Sequence, residues 1–257
     1  MQWGAGYVTG DGMLHFDHDG ARLAYRHTPG AGPLPVFLPG YMSDMTGTKA
    51  EALANWAAAH GRGCLRFDYS GCGASGGAFL AGSIGRWTAD ALAIIDHVAP
   101  GERVIPVGSS MGGWIALRLA LALGDRVAGL VGIAAAPDFT DWGLQIDAAD
   151  RAALDARGYV TRPTPYDPEG YRYSRDFLED APRQRVLGGP IAIDAPVRLL
   201  HGQRDEAVPW RLSLDIAERL RSDAVQVTIV KDGDHRLSRA CDIALLLAAV
   251  ADLMGED

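Results

Sequence analysis

A hydroxyl that attacks a carbonyl needs a sharp turn to present it, and Gly108-Ser109-Ser110-Met111-Gly112-Gly113 has the residues for one. Val104-Ile105-Pro106-Val107 before it reads as a short buried strand, and Trp114–Leu121 after it as a helix. In so tight a turn, side chains at Gly108 and Gly112 would collide with the neighbouring strand and helix. Ser110 would stand at the helix N-terminus, where unpaired N–H groups and the helix dipole favour developing negative charge. Ser110 is therefore the candidate nucleophile.

The same Gly-x-Ser-x-Gly spacing recurs at Gly73-Ala74-Ser75-Gly76-Gly77, inside the glycine-rich stretch Ser70–Gly77. No strand runs directly into that copy and no helix follows it, so it reads as a flexible loop near the site.

A serine hydroxyl is a weak nucleophile until a base accepts its proton, and the base needs an orienting acid. Downstream, Pro196-Val197-Arg198-Leu199-Leu200 reads as a strand leading into His201-Gly202-Gln203-Arg204-Asp205. Val225–Val230 alternates like another strand and leads into Gly233-Asp234-His235. Asp205 and His235 thus fall on loops at strand C-terminal ends, where open α/β sheets carry their sites. The order Ser110, Asp205, His235 is the one expected of a nucleophile, orienting acid and general base on such a sheet. Asp232 and Asp234 lie too near His235 in sequence to reach its far ring nitrogen easily. The tetrahedral oxyanion needs two donors. One is the backbone N–H of Met111; the other is that of Tyr41, in the loop Pro39-Gly40-Tyr41-Met42-Ser43 after the strand Pro35–Leu38.

The elements that position these residues follow a β-α rhythm. Met13–Phe16 and Arg22–Arg26 flank Asp19-Gly20, a hairpin signal. A helix over 46–59, a strand over 64–67 and a helix over 84–98 come next. The fold class is α/β: a mostly parallel, doubly wound sheet with an N-terminal antiparallel hairpin. Between the apolar run Val131–Ala136 and Pro196 the rhythm breaks. Residues 1–136 and 196–257 are assigned to the core and 137–195 to an inserted cap. That insertion carries an amphipathic helix near 147–157, three prolines, and Tyr159, Tyr166, Tyr171, Tyr173 and Phe177, which would line an acyl pocket. Arg162, Arg172 and Arg175 could meet a substrate carboxylate, though such arginines more often form a solvated face.

Four blocks, Phe37–Ala50, Phe67–Gly77, Gly108–Trp114 and Gly233–Ser238, resemble the branch of the α/β-hydrolases that contains a mitochondrial palmitoyl-protein thioesterase, also described as an acyl-glucuronide esterase. The resemblance runs from Leu34 to the last helix. It implies an α/β-hydrolase fold and hydrolysis of esters or thioesters, with Ser110, Asp205 and His235 as the triad and no cofactor or metal. Many family members have His where this chain has Pro39 and Cys72, which bears on substrate preference rather than reaction type. C–C bond hydrolysis or haloperoxidase-like chemistry on the same triad, and a non-catalytic binding protein of the same fold, are the rival readings.

Composition sets the frame. The 257 residues suit one large α/β domain. A net charge of −8 argues against a nucleic-acid partner, which would need clustered Lys and Arg, and leaves a small-molecule or acylated substrate. Lys occurs only as Lys49 and Lys231, against abundant Ala, Gly and Arg, which suggests a GC-rich bacterial genome. Cys64, Cys72 and Cys241 are widely spaced and odd in number, which points to a reducing compartment. Of these Cys72 lies nearest the expected site, and reads as a small loop residue. His15, Asp17, His18 and Asp19 resemble a metal cluster on paper, but strand alternation splits His15 from His18, so they read as a solvated hairpin. No basic-then-apolar leader opens the chain and no apolar run is long enough to span a bilayer, so a cytoplasmic location is expected. Oligomeric state is not legible.

Overall fold

The computed structural model describes residues 12–255; the reading of the N-terminus as leaderless falls on residues outside that range. The hairpin forms as expected. β1 (Leu14–His18) and β2 (Ala21–Thr28) pair antiparallel with His18 opposite Ala21. Asp19 and Gly20 both take positive φ, +44° and +77°, the conformation that matches a two-residue turn to strand twist.

Six more strands complete the sheet: β3 (Leu34–Leu38), β4 (Cys64–Phe67), β5 (Val104–Ser109), β6 (Leu130–Ile133), β9 (Val197–Gly202) and β10 (Val225–Val230). Their order is β1-β2-β4-β3-β5-β6-β9-β10, and every pair from β4 onward is parallel. The central strands are apolar on both faces because helices cover both. On one face α1 (Thr48–Ala59) and α8 (Ala240–Leu253) set Leu53, Ala57, Leu246 and Val250 against Phe37, Ile105 and Val131. On the other, α2 (Ile84–Val98), α3 (Met111–Leu123) and α7 (Leu212–Arg219) set Trp87, Trp114 and Ile216 against Val36, Leu38 and Leu199. Ser83 caps α2 by accepting from the Arg86 amide at 3.2 Å.

The chain leaves β3 over one face and β4 over the other, so β3 and β5 flank the point where the winding reverses. Loops there cannot close over the strand ends, which leaves a crevice.

Residues between β6 and β9 leave the sheet. β6 ends at Ile133, where Ala134 turns the chain at a φ of +45°. The insertion contains α4 (Phe139–Trp142), α5 (Ala148–Arg157) and α6 (Arg175–Asp180), and also a hairpin that periodicity does not show. β7 (Tyr159–Thr164) pairs antiparallel with β8 (Asp167–Ser174). Its prolines conceal it: Pro163 sits where the register shifts, a place in a two-stranded sheet where a missing N–H costs little. α5 starts on a reciprocal cap between Asp147 and Asp150. Among the described residues no helix is long and apolar enough to cross a membrane.

Candidate active site

Ser110 lies between β5 and α3 at φ +55°, a conformation a residue with a side chain holds only when its surroundings fix it. They do. Its N–H donates to Ile133 O at 2.9 Å, and its carbonyl accepts from Gly113 N at 2.9 Å and Ala136 N at 3.0 Å. A Cβ on Gly108 would sit 2.2 Å from Gly112 O, and one on Gly112 would sit 2.0 Å from Leu38 O. Both glycines are there for close approach. Gly113 is a third: a Cβ there would lie 2.5 Å from the Ala135 side chain, a contact set by the turn after β6.

With its backbone pinned, the Ser110 hydroxyl faces His235, whose Nε2 is 3.1 Å from Oγ. His235 Nδ1 lies 2.7 Å from Asp205 Oδ2. Asp205 is wholly enclosed, and its Oδ1 accepts the amides of Ala207 and Val208 at 2.8 Å each. Burial alone would raise this carboxyl; the hydrogen bonds of His201, His235 and the Val208 amide outweigh it and hold the group well below the ordinary carboxylate range. The loops carrying acid and histidine touch at Gly202, where a Cβ would lie 2.4 Å from both Gly233 O and Asp234 O. Asp232 and Asp234 are engaged elsewhere, with Arg239 and the Leu237 amide.

His201 escaped sequence reading. It lies on β9 with no exposed surface, and its Nε2 is 3.1 Å from Asp205 Oδ2. The signal available was a histidine directly after the apolar pair Leu199-Leu200, four residues before the acid.

A cavity of about 740 Å³ opens over Ser110 and His235. Tyr41 and Met111 both line it, and neither backbone N–H donates to a protein acceptor among the described residues. A Cβ on Gly40 would lie 3.4 Å from the Ser110 Cβ, so this loop runs close to the candidate nucleophile. The Tyr41 side chain donates to the Arg172 carbonyl on β8 and stacks on Tyr173 at 4.8 Å, tying the loop to the insertion. Burial pushes its hydroxyl far above the usual tyrosine range.

The aromatics of the insertion divide. Tyr166, Tyr171 and Tyr173 line the cavity, with Phe139, Trp142 and Met42 adding apolar surface. Phe177 is buried against Trp87 and Tyr41, and Tyr159 carries the Arg157 guanidinium at 4.9 Å instead. The three arginines are ion-paired: Arg162 with Asp150, Arg172 with Glu169 and Arg175 with Asp155. Arg236, next to His235, lines the cavity with its guanidinium 5.4 Å above the Tyr166 ring. Lys49 joins the two sides of the site by donating to the Arg236 carbonyl; burial lowers its ammonium to about 8.

Ser75 and Cys72 have other roles. Ser75 Oγ accepts from Ala24 N at 2.8 Å and donates to Asp68 O at 2.7 Å, so its loop is tied to β2 rather than loose. Cys72 is buried, and that burial pushes its thiol up to about 12, which keeps it protonated. Asp68 is a further buried polar residue that sequence reading missed. It accepts from Met45 N at 2.7 Å and Ala74 N at 2.8 Å, joining the Ser75 loop to the Tyr41 loop.

Comparison with known proteins agrees with this architecture. The model of the alpha/beta hydrolase family matches residues 36–254. The mitochondrial palmitoyl-protein thioesterase ABHD10 of Mus musculus is 40% identical over 235 residues, which cover 90% of this chain and 78% of that protein. A solved protein of Agrobacterium vitis S4 superposes with a TM-score of 0.88 at 42% identity, covering 94% of this chain and 97% of that one. Mouse alpha/beta hydrolase domain-containing protein 10 superposes with a TM-score of 0.86 at 37% identity, covering 95% and 98%.

Proposed function

This chain belongs to the alpha/beta hydrolase family, and from that premise we propose that it cleaves carboxylic esters or acyl thioesters through an acyl-enzyme on Ser110. The observation that carries the reading is the hydrogen-bonded line Ser110–His235–Asp205, at 3.1 and 2.7 Å, whose serine and histidine line the cavity.

His235 Nε2 takes the Ser110 proton as Oγ attacks the acyl carbonyl carbon. Asp205 holds the imidazole with Nδ1–H toward the acid and stabilises the imidazolium that forms. The N–H groups of Tyr41 and Met111 receive the oxyanion; losing one such donor typically costs about 10²–10³ in turnover. Collapse breaks the C–O or C–S bond, and the imidazolium returns its proton to the leaving alkoxide or thiolate. Water, deprotonated by His235, then attacks the acyl-serine, and the second collapse frees the acid and restores Ser110.

The cavity supports an acyl substrate. Its apolar side, with Phe139, Trp142, Met42 and Tyr171, suits a hydrocarbon chain, while Arg236 stands at its polar side. The insertion serves as a lid over the catalytic edge, as its tie through Tyr41 to the oxyanion loop suggests. That a relative is named a palmitoyl-protein thioesterase supports acyl thioesters among the substrates of this chain.

The test is a hydrolysis profile of wild type and Ser110→Ala on matched oxygen esters and acyl-CoA thioesters, from acetyl to palmitoyl. Ser110-dependent turnover that rises with chain length on thioesters is the expected result. Turnover confined to short oxygen esters would make the protein a general carboxylesterase. Turnover that survives Ser110→Ala would overturn the acyl-enzyme.

A further inference from the structure

The acid of this line has a second histidine on it. His201 Nε2 lies 3.1 Å from Asp205 Oδ2, the same oxygen that meets His235 Nδ1 at 2.7 Å. Nε2 is also 3.1 Å from the Val208 carbonyl. An ionised carboxylate and a carbonyl only accept, so His201 Nε2 carries the proton and shares it between them. On the other side of the ring, Nδ1 lies 2.7 Å from Ser213 Oγ, which is buried on α7. A neutral ring accepts the hydroxyl proton there. The whole is a chain of five side chains, Ser110–His235–Asp205–His201–Ser213, with two serine–histidine arms meeting at one carboxylate oxygen. The outer arm opens to the cavity and the inner arm is closed within the core.

Core packing does not call for this. Leu199 and Leu200 precede His201 on β9, and a buried imidazole is costly unless both nitrogens are paired. Nor is His201 needed to satisfy Asp205 Oδ1, which already holds two backbone amides. What His201 adds is a donor to the one oxygen that faces the base.

We propose that His201, held in its tautomer by Ser213, is a positioning residue for the acyl transfer: it fixes the Asp205 carboxylate and limits the negative charge that Oδ2 offers to His235. The proposal rests on the Ser110–His235–Asp205 reading. Its consequence has a sign. A donor on Oδ2 competes with His235 for the charge of that oxygen. Removing the inner donor returns that charge, stabilises the imidazolium and moves the acid limb of kcat/KM upward. The other titratable groups around this pair are Tyr166 over the His235 ring, Arg236 and Asp234 beside it in the chain, and Lys49 and Glu206 in the cavity wall. None of them is altered by a change at His201, so they set a common background.

The decisive variants are His201→Leu with Ser213→Ala, which removes the inner arm without stranding a hydroxyl, and His201→Gln, whose amide keeps a donor near the position of Nε2. The double variant is expected to move the acid limb up by about half a unit to one unit, roughly half of the one to two units that a hydrogen bond to a charged group is worth, because the lost bond acts on His235 through Asp205. Its plateau kcat should fall about tenfold with KM unchanged, and His201→Gln should recover most of the limb position. NMR titration of the His235 ring in a Ser110→Ala background reads the same shift without turnover. A limb and a ring titration that stay in place in the double variant, with only a lower Tm, would reduce His201 to core filling and overturn the proposal. If Ser110→Ala kept its turnover, the acyl-enzyme reading would fall instead, and the ring titration would still decide the matter of His201.

Discussion

Ser75 and Ser110 each sit between two glycines two residues away, and the fold uses them in opposite ways. At Ser110 the backbone is tied by three hydrogen bonds and forced to positive φ, while the hydroxyl is left to face His235. At Ser75 the hydroxyl itself is tied, accepting from Ala24 N and donating to Asp68 O. A nucleophile needs a rigid support and an uncommitted side chain; a loop fastener needs the reverse. The glycines differ too. Around Ser110 both face backbone, with Gly112 O 2.2 Å and Leu38 O 2.0 Å from the Cβ atoms that Gly108 and Gly112 lack; around Ser75 a Cβ on Gly73 would meet the Asp68 carboxylate at 2.2 Å, while Gly77 and the adjacent Gly76 have nothing nearer than 3.3 and 3.4 Å.

The sharpest break of this contrast is removal of each hydroxyl in turn. Ser110→Ala is expected to lower kcat by about 10⁴-fold or more in an acyl-thioester assay while Tm holds, since the loss is chemical rather than structural. Next come the glycines. Gly112→Ala should lower Tm steeply or prevent soluble expression, because backbone lies where the methyl must go, while Gly76→Ala should stay within about 0.5 kcal/mol of wild type in a denaturant titration. Ser75→Ala should keep most of the turnover and cost about 1–3 kcal/mol of stability by stranding the Ala24 amide. A Ser75→Ala enzyme as inactive as Ser110→Ala would erase the distinction. The smallest effect concerns what titrates beside each serine. Lys49, which ties the Ser110 side of the site to the histidine loop, is lowered to about 8 by burial, so the unfolded chain holds this proton more tightly than the native one. Stability should therefore rise as pH climbs from about 8 toward the free lysine value near 10.4, and Lys49→Met should flatten that slope in thermal melts.

Much of this was legible in the residues. Alternation and apolar runs located β4, α2 and β10 at their observed bounds, and Asp19-Gly20 announced the hairpin. The order of Ser110, Asp205 and His235, each after a strand, foretold that they would meet, because parallel strands deliver their C-terminal loops to one edge. Other features were hidden. The hairpin β7–β8 was masked by prolines that a two-stranded sheet tolerates, and nothing local announced that the turn at Ala134 would bring the Ala136 amide to the Ser110 carbonyl. The three arginines pair with acids of the same insertion, and of them only Arg162 also reaches the cavity wall.

The sequence by itself determined the N-terminal hairpin and the alternating strands and helices of the main sheet, the close approach at Gly108 and Gly112, and which serine stands at a strand-to-helix turn. Those are properties of a few consecutive residues, and local sterics and periodicity report them. The tertiary structure alone decided that Gly113 packs on Ala135, that Cys72 is buried, that Tyr41 holds the insertion, and that His201 and Ser213 join the line behind Asp205. Each of those is a contact whose meaning depends on how strands, loops and helices are laid side by side. No period in the chain encodes that placement.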